Sequence, residues 1–547
     1  MIFENIMHRI RLGVHYLDNN SDPKLGGLPY SGGIITGPAA YRSHGEWDAG
    51  DTGWRMIEAY ILARQVLDQP NPGLEEQKLR AFVISNIKDD GLCYRPEMPW
   101  CRAEAWMWDH GRALIALATW LRLEPSGKIA KIAKNMVAGL EKIAIREGEF
   151  WVYPAENWTG TKWGSTVYAH PPTGLTIEGL VDLSKLLHDE RLLELAGHFV
   201  KSVMSRKPLI FSEDGSLIPK GGGPYDFWFT HVHSRLAILI GLIKYALSLN
   251  DKNLLDWCIR CYLFVKEKMS SSFGWVPESL ESGTDPEVKF LSTKRRDEVC
   301  CISDMMQIAA ILANNGRPEE RQTIGYYGMN HLLAHQNIDF TPYKKLMDHK
   351  TGLEDTLQIS YKGMPEVALG SFTAGSYPNE LAIDLRSFGA QQYTIDVAGC
   401  CSSSGIKALY VLWREAVQYI RDILHIHLWV TMENHYVNMI CEEPFNGRLC
   451  IKLKQNSREM VIHVPDYIDP EEVSVNHKCE IHERSLYLNK KQKGDIITLS
   501  YPIYEQTKTE FIGGNLYNVL WRGGRVIDVL PPAVGCKPYW WRQNIIK

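Results

Sequence analysis

Two pairs of adjacent cysteines are the residues of this 547-residue chain best suited to chemistry. Cys300-Cys301 lies in RRDEVCCISD, just after Glu298, and Cys400-Cys401 lies in DVAGCCSSSG. Each pair stands where a helix should begin, and the N–H groups and dipole of a helix start stabilise a thiolate. Thiolates joined by a carboxylate are suitable zinc ligands, so the two pairs could bind this metal if the fold brings them together. Free cysteines buried in the core are the alternative.

The composition is that of an ordinary soluble globular protein, with 45% hydrophobic and 23% charged residues. It excludes disordered, fibrous and coiled-coil classes. The net charge is −4, and no basic tract is present that would follow a phosphate backbone or an anionic membrane. The N-terminal segment does not resemble a signal peptide, and the longest apolar run, near Leu236–Ile243, is short of the roughly 20 residues that span a bilayer. We therefore expect a cytoplasmic protein with reduced cysteines that binds neither nucleic acid nor membrane.

Twelve amphipathic blocks, with apolar residues at helical spacing, predict a succession of helix pairs that would position these cysteines. Twelve helices in consecutive antiparallel pairs would close into a ring, the (α/α)6 toroid, whose inner helix ends surround one central pocket. An open helical solenoid is the alternative. The blocks lie near 4–17, 51–67, 74–87, 104–121, 128–144, 174–187, 190–204, 231–248, 252–268, 299–313, 317–333 and 403–421.

The pattern changes from about residue 424, where β-branched residues alternate with polar ones and turn signals separate the segments. This part, 424–547, is predicted to be a β-sandwich domain, and 1–423 the helical barrel domain. A segment near 356–396 also reads as extended, and we expect it to form a strand-rich insertion just before the last helix. Because no polar linker separates the two domains, we expect them to pack closely.

The cysteine motifs resemble those of glycoside hydrolase family 127, the β-L-arabinofuranosidase-like family. Glu298-Val299-Cys300 resembles its Glu-x-Cys element and Cys400-Cys401 its Cys-Cys element. The order of barrel, Glu-x-Cys, insertion, Cys-Cys, last helix and sandwich also agrees along nearly the whole chain. The resemblance implies that Glu298, Cys300, Cys400 and Cys401 bind Zn²⁺ and that Cys400 is the nucleophile. The residues after Cys-Cys, 402–405, differ from those of the family.

A thiolate nucleophile also needs a carboxylic acid that protonates the leaving oxygen. The resemblance places this acid/base glutamate shortly upstream of the Glu-x-Cys element, where Glu278 and Glu281 are found. Because the Gly-Glu pair of the family is missing there, both residues stay candidates, and either could instead be a solvated loop glutamate. The resulting reaction would hydrolyse a glycoside with net retention at the anomeric carbon.

The predicted substrate contacts are residues just before or at predicted helix starts. His231 and His233 resemble a Gly-His-x-x-Arg element in shifted register, and His170 could replace a family histidine whose position holds Leu175. Capping or core roles are the alternative for these histidines. Aromatic and carboxylate side chains suit a sugar site, since rings cover sugar faces and carboxylates bind hydroxyls. The further candidates are His44, Asp48, Asp51, Trp108, Asp109, Tyr225 and Asp226.

The leading interpretation is a retaining zinc-cysteine glycoside hydrolase that releases a terminal furanoside, β-L-arabinofuranose or a related sugar, from a small oligosaccharide. A homo-oligomer is compatible with the sequence. A metal-independent (α/α)6 sugar epimerase or unsaturated-uronide hydrolase is one alternative, and it would depend on histidines and aspartates at the barrel mouth and tolerate loss of the cysteines. A non-catalytic carbohydrate-binding protein is the other, with structural zinc in a closed site.

Overall fold

Twelve helices of eight or more residues dominate the N-terminal part of the chain, counted over the residues that the computed structural model describes: 2–37, 39–218, 230–280, 296–347, 352–384 and 393–545. Their number agrees with the periodicity of the sequence. The helices are α1 (Ile6–Asn19), α2 (Gly53–Leu67), α3 (Leu74–Ser85), α4 (Met107–Leu123), α5 (Gly127–Ile143), α6 (His170–Leu187), α7 (Arg191–Ser205), α8 (Val232–Leu249), α9 (Lys252–Phe264), α10 (Val299–Ala313), α11 (Glu320–Tyr327) and α12 (Gly399–Ala416).

The even-numbered helices form a closed inner ring. Each of α2, α4, α6, α8 and α10 packs against the next even-numbered helix, and α12 packs against α2, while the odd-numbered helices lie outside. Helix α8 is apolar on nearly all sides and long enough by composition to cross a membrane, yet most of it is buried inside the protein. A helix that is apolar all round has to be covered on every side, and the ring provides this cover. The predicted (α/α)6 toroid is therefore confirmed.

Side chains cap the starts of three of the six outer helices, whereas α3, α7 and α11 begin without such a cap. Asn5, Ser126 and Asp251 cap α1, α5 and α9 with side-chain hydrogen bonds to the first backbone N–H groups. In the described part of the chain, no side chain caps the start of any of the six inner helices. At the starts of α8, α10 and α12, the first backbone N–H donates instead to a carbonyl of a neighbouring segment.

The C-terminal part is built from β-strands in two five-stranded sheets, with the orders β16-β17-β14-β10-β9 and β11-β12-β13-β18-β15, and a three-stranded sheet β19-β20-β21. Buried and exposed residues alternate along β12, β13 and β18, as expected where two sheets pack face to face. The strands are β9 (Val417–Ile420), β10 (Ile423–Ile426), β11 (Met432–Glu433), β12 (Val437–Cys441), β13 (Arg448–Leu453), β14 (Ser457–His463), β15 (Ser474–Val475), β16 (Glu480–His482), β17 (Ser485–Lys491), β18 (Ile496–Ser500), β19 (Glu505–Ile512), β20 (Asn515–Arg522) and β21 (Arg525–Leu530).

Short strands inside the helical part hold the start of α12. A four-stranded sheet has the order β7-β4-β3-β8, and β8 leads directly into the helix that carries Cys400-Cys401. The segment predicted as a strand-rich insertion contributes only β7 and the first residue of β8, so most of its described residues are irregular. The strands here are β1 (Ser21–Asp22), β2 (Leu28–Pro29), β3 (Gly32–Ile34), β4 (Tyr41–Ser43), β5 (Ile145–Glu147), β6 (Phe150–Val152), β7 (Ile359–Ser360) and β8 (Asp396–Ala398).

The barrel and the sheets share a buried contact at the two ends of the chain. Both carboxylate oxygens of Glu4 accept hydrogen bonds from Arg542, at 2.8 and 2.9 Å, and Trp541 donates a third. Helix α12 ends at Ala416 and β9 starts at Val417, so no linker separates the barrel from the sheets.

Candidate active site

The two cysteine pairs meet at the inner end of the ring. The Sγ atoms of Cys300 and Cys401 are 3.6 Å apart, and those of Cys400 and Cys401 are 4.0 Å apart. All three thiols are free. A carboxylate oxygen of Glu298 lies 3.9 Å from the Cys401 sulfur. The sulfur of Cys301 is directed elsewhere, to within 3.7 Å of the other Glu298 oxygen, and does not belong to the three-sulfur group. We call Glu298, Cys300, Cys400 and Cys401 the thiol cluster.

The donor set of the thiol cluster fits zinc. A zinc–sulfur bond of about 2.3 Å in a tetrahedron corresponds to about 3.8 Å between sulfurs, close to the 3.6 and 4.0 Å separations found here. The three sulfurs and one carboxylate complete the four ligands that such a site requires. Cys300, Cys400, Cys401 and Glu298 are therefore the residues that could hold the metal.

The surroundings of the cluster favour negative charge on sulfur. Cys300 lies in the first turn of α10 and Cys400 in the first turn of α12, both uncapped, so the positive helix ends face the sulfurs. The Nη1 atom of Arg55, on α2, lies 3.8 Å from the Cys300 sulfur and donates to the Ser404 hydroxyl at 3.0 Å. A fixed guanidinium and two helix starts thus stabilise a thiolate in this place.

Cys400 differs from the other two thiols in exposure and in acidity. Cys300 and Cys401 are 0% and 2% exposed, whereas Cys400 is only partly buried. Burial raises the pKa of Cys300 to about 12, while hydrogen bonds from Cys300 and then Cys401 hold the pKa of Cys400 well below its usual range. Cys400 is therefore the thiol of the three whose pKa is lowered and whose residue is not fully buried.

A layer of charged side chains lies behind the sulfurs. Arg55 and Arg112 each place an Nη2 atom 2.8 Å from Nε2 of His233, and His233 Nδ1 lies 2.5 Å from Asp304. Because a guanidinium can only donate, His233 Nε2 must be an unprotonated acceptor. Burial, followed by the charges of the two arginines, accordingly holds the pKa of His233 well below its ordinary value. The imidazole stays neutral and orders both arginines.

Asp51 and Trp108 connect this layer to the barrel mouth. One oxygen of Asp51 accepts from Arg55 Nε at 2.7 Å and from the indole of Trp108 at 2.6 Å. Burial would raise the pKa of Asp51, but the charges of Arg55 and Arg112 outweigh it and lower the pKa. Asp51 is therefore an anion that orients Arg55 toward the thiol cluster.

His231 orients the carboxylate of the thiol cluster. Its Nε2 atom lies 2.8 Å from a Glu298 oxygen, and its Nδ1 atom lies 2.8 Å from the Ser234 hydroxyl. Burial lowers the pKa of His231, but the charge of Glu298 outweighs it and the pKa is raised; burial also raises the pKa of Glu298. The contact holds the Glu298 carboxylate in place, and ligand carboxylates in metal sites commonly have a hydrogen-bond partner of this kind.

The two acid/base candidates stand differently. Both oxygens of Glu278 accept hydrogen bonds from Arg296, at 2.5 and 2.6 Å, and Arg296 also pairs with Asp396 at 3.3 Å. Arg296 therefore occupies the atoms that a general acid would present to a leaving group. Glu281, the other candidate, lies outside the described residues.

Four of the predicted substrate-binding residues, His44, Asp48, Asp109 and His170, contact other side chains or the backbone of the protein. His44 is stacked between other rings, 4.0 Å from that of Tyr30, and its Nδ1 lies 2.8 Å from Asp48. Asp109 makes a buried two-point ion pair with Arg95 at 2.7 and 3.0 Å. His170 is fully buried and its ring nitrogens face the Tyr168 hydroxyl and the Pro208 carbonyl. The remaining two candidates, Tyr225 and Asp226, lie outside the described residues.

An aromatic pocket opens beside Trp108. It has a volume of about 250 Å³ and contains Trp47, Trp106 and the carboxylate-bearing residues Glu46 and Glu156 in its lining. Trp108 lies between this pocket and His231, with ring centroids 6.5 Å apart. Flat rings with nearby carboxylates suit a sugar, because they cover its apolar face and accept from its hydroxyls.

Sequence reasoning did not identify Arg55, Arg112, Asp304 or Ser404. Each sits about one helical turn after a residue that was singled out: Arg55 follows Asp51 and Arg112 follows Trp108 by four residues, and Ser404 follows Cys400 likewise. Spacing of this kind places side chains on one helix face. This four-residue spacing could have indicated these residues as candidates. It does not predict which other helices the arginine side chains contact.

Comparisons with known proteins support the fold. No family model matches the chain, and no curated protein matches it. Among solved structures, a GH127 β-L-arabinofuranosidase from Geobacillus stearothermophilus T6 is 14% identical, with 95% of this chain and 80% of that chain covered and a TM-score of 0.56. A second GH127 β-arabinofuranosidase is 12% identical, with 96% and 81% covered and a TM-score of 0.57. A D-mannose isomerase is 10% identical over 75% of this chain and 97% of its own, with a TM-score of 0.51. The chain therefore has the architecture of these proteins, including the β-sheet part in the first two.

Proposed function

We propose that the chain is a retaining glycoside hydrolase in which the Cys400 thiolate is the nucleophile. The observation that carries the proposal is the thiol cluster, in which the sulfurs lie 3.6 and 4.0 Å apart and Cys400 is partly exposed while Cys300 and Cys401 are buried. Reactive cysteines are found in such electropositive, partly accessible surroundings. The similarity of the fold to two arabinofuranosidases adds support over nearly the whole chain.

Zinc fits the cluster, with Glu298, Cys300, Cys400 and Cys401 as its ligands. Bound there, it would supply a positive charge that keeps the thiols deprotonated at neutral pH. The protein's own groups act in the same direction, because Arg55 lies 3.8 Å from Cys300 and the starts of α10 and α12 face the sulfurs. His231 holds the Glu298 carboxylate in place at 2.8 Å.

The reaction would proceed in two displacements. In the first, Cys400 Sγ forms a bond to the anomeric carbon while the bond to the leaving oxygen breaks, and that oxygen takes a proton from a glutamic acid. In the second, water attacks the same carbon, the carbon–sulfur bond breaks, and the glutamate accepts the proton of the water. We assign the glutamate role to Glu281, because Arg296 occupies both oxygens of Glu278.

We propose a terminal furanoside as the substrate, with β-L-arabinofuranoside as the first choice. The names of the two similar enzymes carry this choice, and the aromatic pocket beside Trp108, about 250 Å³ in volume, has room for a small sugar unit. We also retain the expectation of a cytoplasmic enzyme, whose substrate would be a small imported oligosaccharide.

The two competing functions make other demands. An epimerase or uronide hydrolase on this barrel needs a histidine that exchanges protons with the substrate, but His233 Nε2 is bound by Arg55 and Arg112 and His231 Nε2 faces Glu298. A carbohydrate-binding protein with structural zinc needs a closed site, whereas Cys400 is partly exposed.

The test combines zinc analysis with hydrolysis of aryl furanosides and pyranosides by the intact chain and by Cys400→Ser. Aryl substrates have good leaving groups, so they report on the nucleophile even if the glutamate assignment is wrong. We expect stoichiometric zinc and activity on one furanoside that is lost in Cys400→Ser but kept in Cys450→Ser, a partly buried cysteine of the sandwich. Unchanged activity of Cys400→Ser would overturn the proposal.

A further inference from the structure

A second group of potential metal ligands lies immediately beside the thiol cluster. One carboxylate oxygen of Asp297, Oδ2, is 2.9 Å from Nε2 of His331 and 2.9 Å from Nε2 of His335. The two histidine rings stand at 89° to each other with centroids 4.9 Å apart, so that both direct a nitrogen to one point. All three side chains are 0% exposed.

Ser376 adds a fourth donor at the same point. Its hydroxyl lies 3.2 Å from Nε2 of His331 and 3.3 Å from Nε2 of His335, and its N–H donates to the other Asp297 oxygen at 2.6 Å. Zinc–nitrogen and zinc–oxygen bonds of about 2.0 Å in a tetrahedron correspond to about 3.3 Å between ligands. The distances from the two histidine nitrogens to Asp297 and to Ser376, 2.9 to 3.3 Å, are close to this spacing.

The outer nitrogens of both histidines are also engaged. His331 Nδ1 lies 3.1 Å from the Tyr539 hydroxyl, and His335 Nδ1 is paired with the Thr373 hydroxyl. A hydroxyl can accept from Nδ1–H, which leaves the Nε2 lone pair free for a metal. Histidines that bind metal usually have a hydrogen-bond partner of this kind on the other nitrogen.

Charge gives an independent argument. In the part of the chain that the structure describes, the ion-pair partners of Asp297 are these two histidines, and no lysine or arginine pairs with it. A fully buried carboxylate without a cation carries a large desolvation cost. A divalent cation at the meeting point of the donors would supply the missing positive charge.

A third histidine group provides a contrast. The rings of His425 on β10, of His427 just after it and of His463 at the end of β14 are nearly parallel, with interplanar angles of 8 to 15°. A metal lies in the plane of each ring that binds it, so parallel stacked rings do not point to a common ion. The perpendicular rings of His331 and His335 do.

We propose that Asp297, His331 and His335, with the Ser376 hydroxyl, bind a second divalent transition-metal ion of the zinc type in a closed structural site. We call this group the sealed cluster. The ion would tie the segment before α10 to the chain after α11 and to the stretch Thr373–Ser376. That stretch includes Ala374, whose carbonyl lies 3.7 Å from the Cys401 sulfur, so the ion would brace the backbone beside the thiol cluster. The proposal goes beyond the proposed function and does not depend on it.

The test disables metal binding by the thiol cluster and measures how much zinc the protein still binds. The double variant Cys300→Ser/Cys401→Ser is produced in zinc-supplemented medium, desalted and analysed for metal, with circular dichroism as the check of folding. We expect one zinc per chain in this variant and none after the further change His335→Asn, whereas His427→Asn leaves the count unchanged. Absence of zinc from the folded double variant would overturn the proposal, and would mean that a protonated histidine supplies the charge.

The intact chain provides the answer if the double variant does not fold. Two zinc ions per chain support the sealed cluster, and a single ion is assigned by X-ray absorption, which distinguishes sulfur from nitrogen and oxygen ligands. A single ion with nitrogen and oxygen ligands supports the sealed cluster while removing the metal from the proposed catalytic site. A single ion with sulfur ligands overturns the sealed cluster and leaves the proposed function standing.

Discussion

Asp297 and Glu298 are neighbours in the chain, yet they take part in two different clusters. The backbone at Glu298 is extended, with φ −144° and ψ 133°, so successive side chains point to opposite sides. Glu298 places one oxygen 3.9 Å from Cys401, a member of the three-sulfur group. Asp297 turns toward two histidines and a serine that are completely buried. The donor types differ as well, with soft sulfur on one side and nitrogen and oxygen on the other.

One short segment can thus contribute both to a reactive site and to the stability of the fold. The partly exposed thiol of Cys400 suits the thiol cluster for reaction with a substrate, while a completely buried donor set suits the sealed cluster for holding elements together. The comparison predicts that changes in the thiol cluster affect turnover far more than folding, and that changes in the sealed cluster do the reverse.

The largest effect is expected from Cys400→Ser. Loss of a nucleophile commonly lowers kcat by a thousandfold or more, roughly 4 kcal/mol or above in the barrier, so we expect aryl furanoside hydrolysis to fall by at least about a thousandfold. The melting temperature should stay within a few degrees of the intact chain, because Cys400 is partly exposed. A much lower melting temperature for Cys400→Ser would contradict the prediction that the thiol cluster serves turnover and the sealed cluster serves stability.

The next effect concerns the acid/base glutamate. Glu281→Gln should lower kcat by about a hundredfold or more on a substrate with a poor leaving group, and much less on a nitrophenyl glycoside, because general acid catalysis matters most when the leaving oxygen is basic. Rates on both substrates would be compared. Glu278→Gln is the matched control, and a stronger leaving-group dependence in that variant would reassign the role to Glu278.

The sealed cluster is addressed by Asp297→Asn. Removing one partner from a buried charged group costs about 3 kcal/mol or more of folding free energy, so we expect a clearly lower midpoint in thermal unfolding. The midpoint of the intact chain should fall after chelation in denaturant, whereas that of Asp297→Asn should respond less. Equal midpoints for the variant and the intact chain would contradict a stabilising role for this cluster.

The smallest effect is expected in the charged layer behind the sulfurs. Burial raises the pKa of Asp304 to about 7 from an ordinary value of 3.8. Between these two pH values, Asp304 is protonated in the folded chain and ionised in the unfolded chain. The stability from this proton is fully present below pH 3.8 and is lost as the pH rises through about 7. Asp304→Asn mimics the protonated form, so its melting temperature relative to the intact chain should increase from pH 5 to pH 8. A difference that is constant with pH would contradict the raised pKa.

The fold was largely predictable because its signal is local. Apolar residues at helical spacing marked the twelve helices, and alternation marked the strands after α12. The segment near 356–396 was predicted to be rich in strands. Among its described residues, however, only 359–360 and 396 are in strands. Pairing with other strands, rather than alternation alone, decides whether a stretch becomes a strand.

The site was predictable only in part. Cys300, Cys400 and Glu298 could be singled out because adjacent cysteines and a nearby carboxylate are rare and chemically distinctive. Arg55 and Asp304 could not be singled out, because their role depends on contacts between side chains of four different helices. Residue spacing within one helix does not predict such contacts. The sequence does contain an indication of the sealed cluster, since His331 and His335 are one helical turn apart and Asp297 adjoins Glu298.

The most direct test of the central claim is to trap the sugar on the enzyme. The intact chain would be mixed with an excess of an aryl β-L-arabinofuranoside, quenched in acid within the first turnovers, digested and analysed by mass spectrometry. The thiolate mechanism predicts one pentosyl group attached to the peptide that contains Cys400, and none in Cys400→Ser. A pentosyl group on a carboxylate residue, or turnover by Cys400→Ser at the rate of the intact chain, would contradict it.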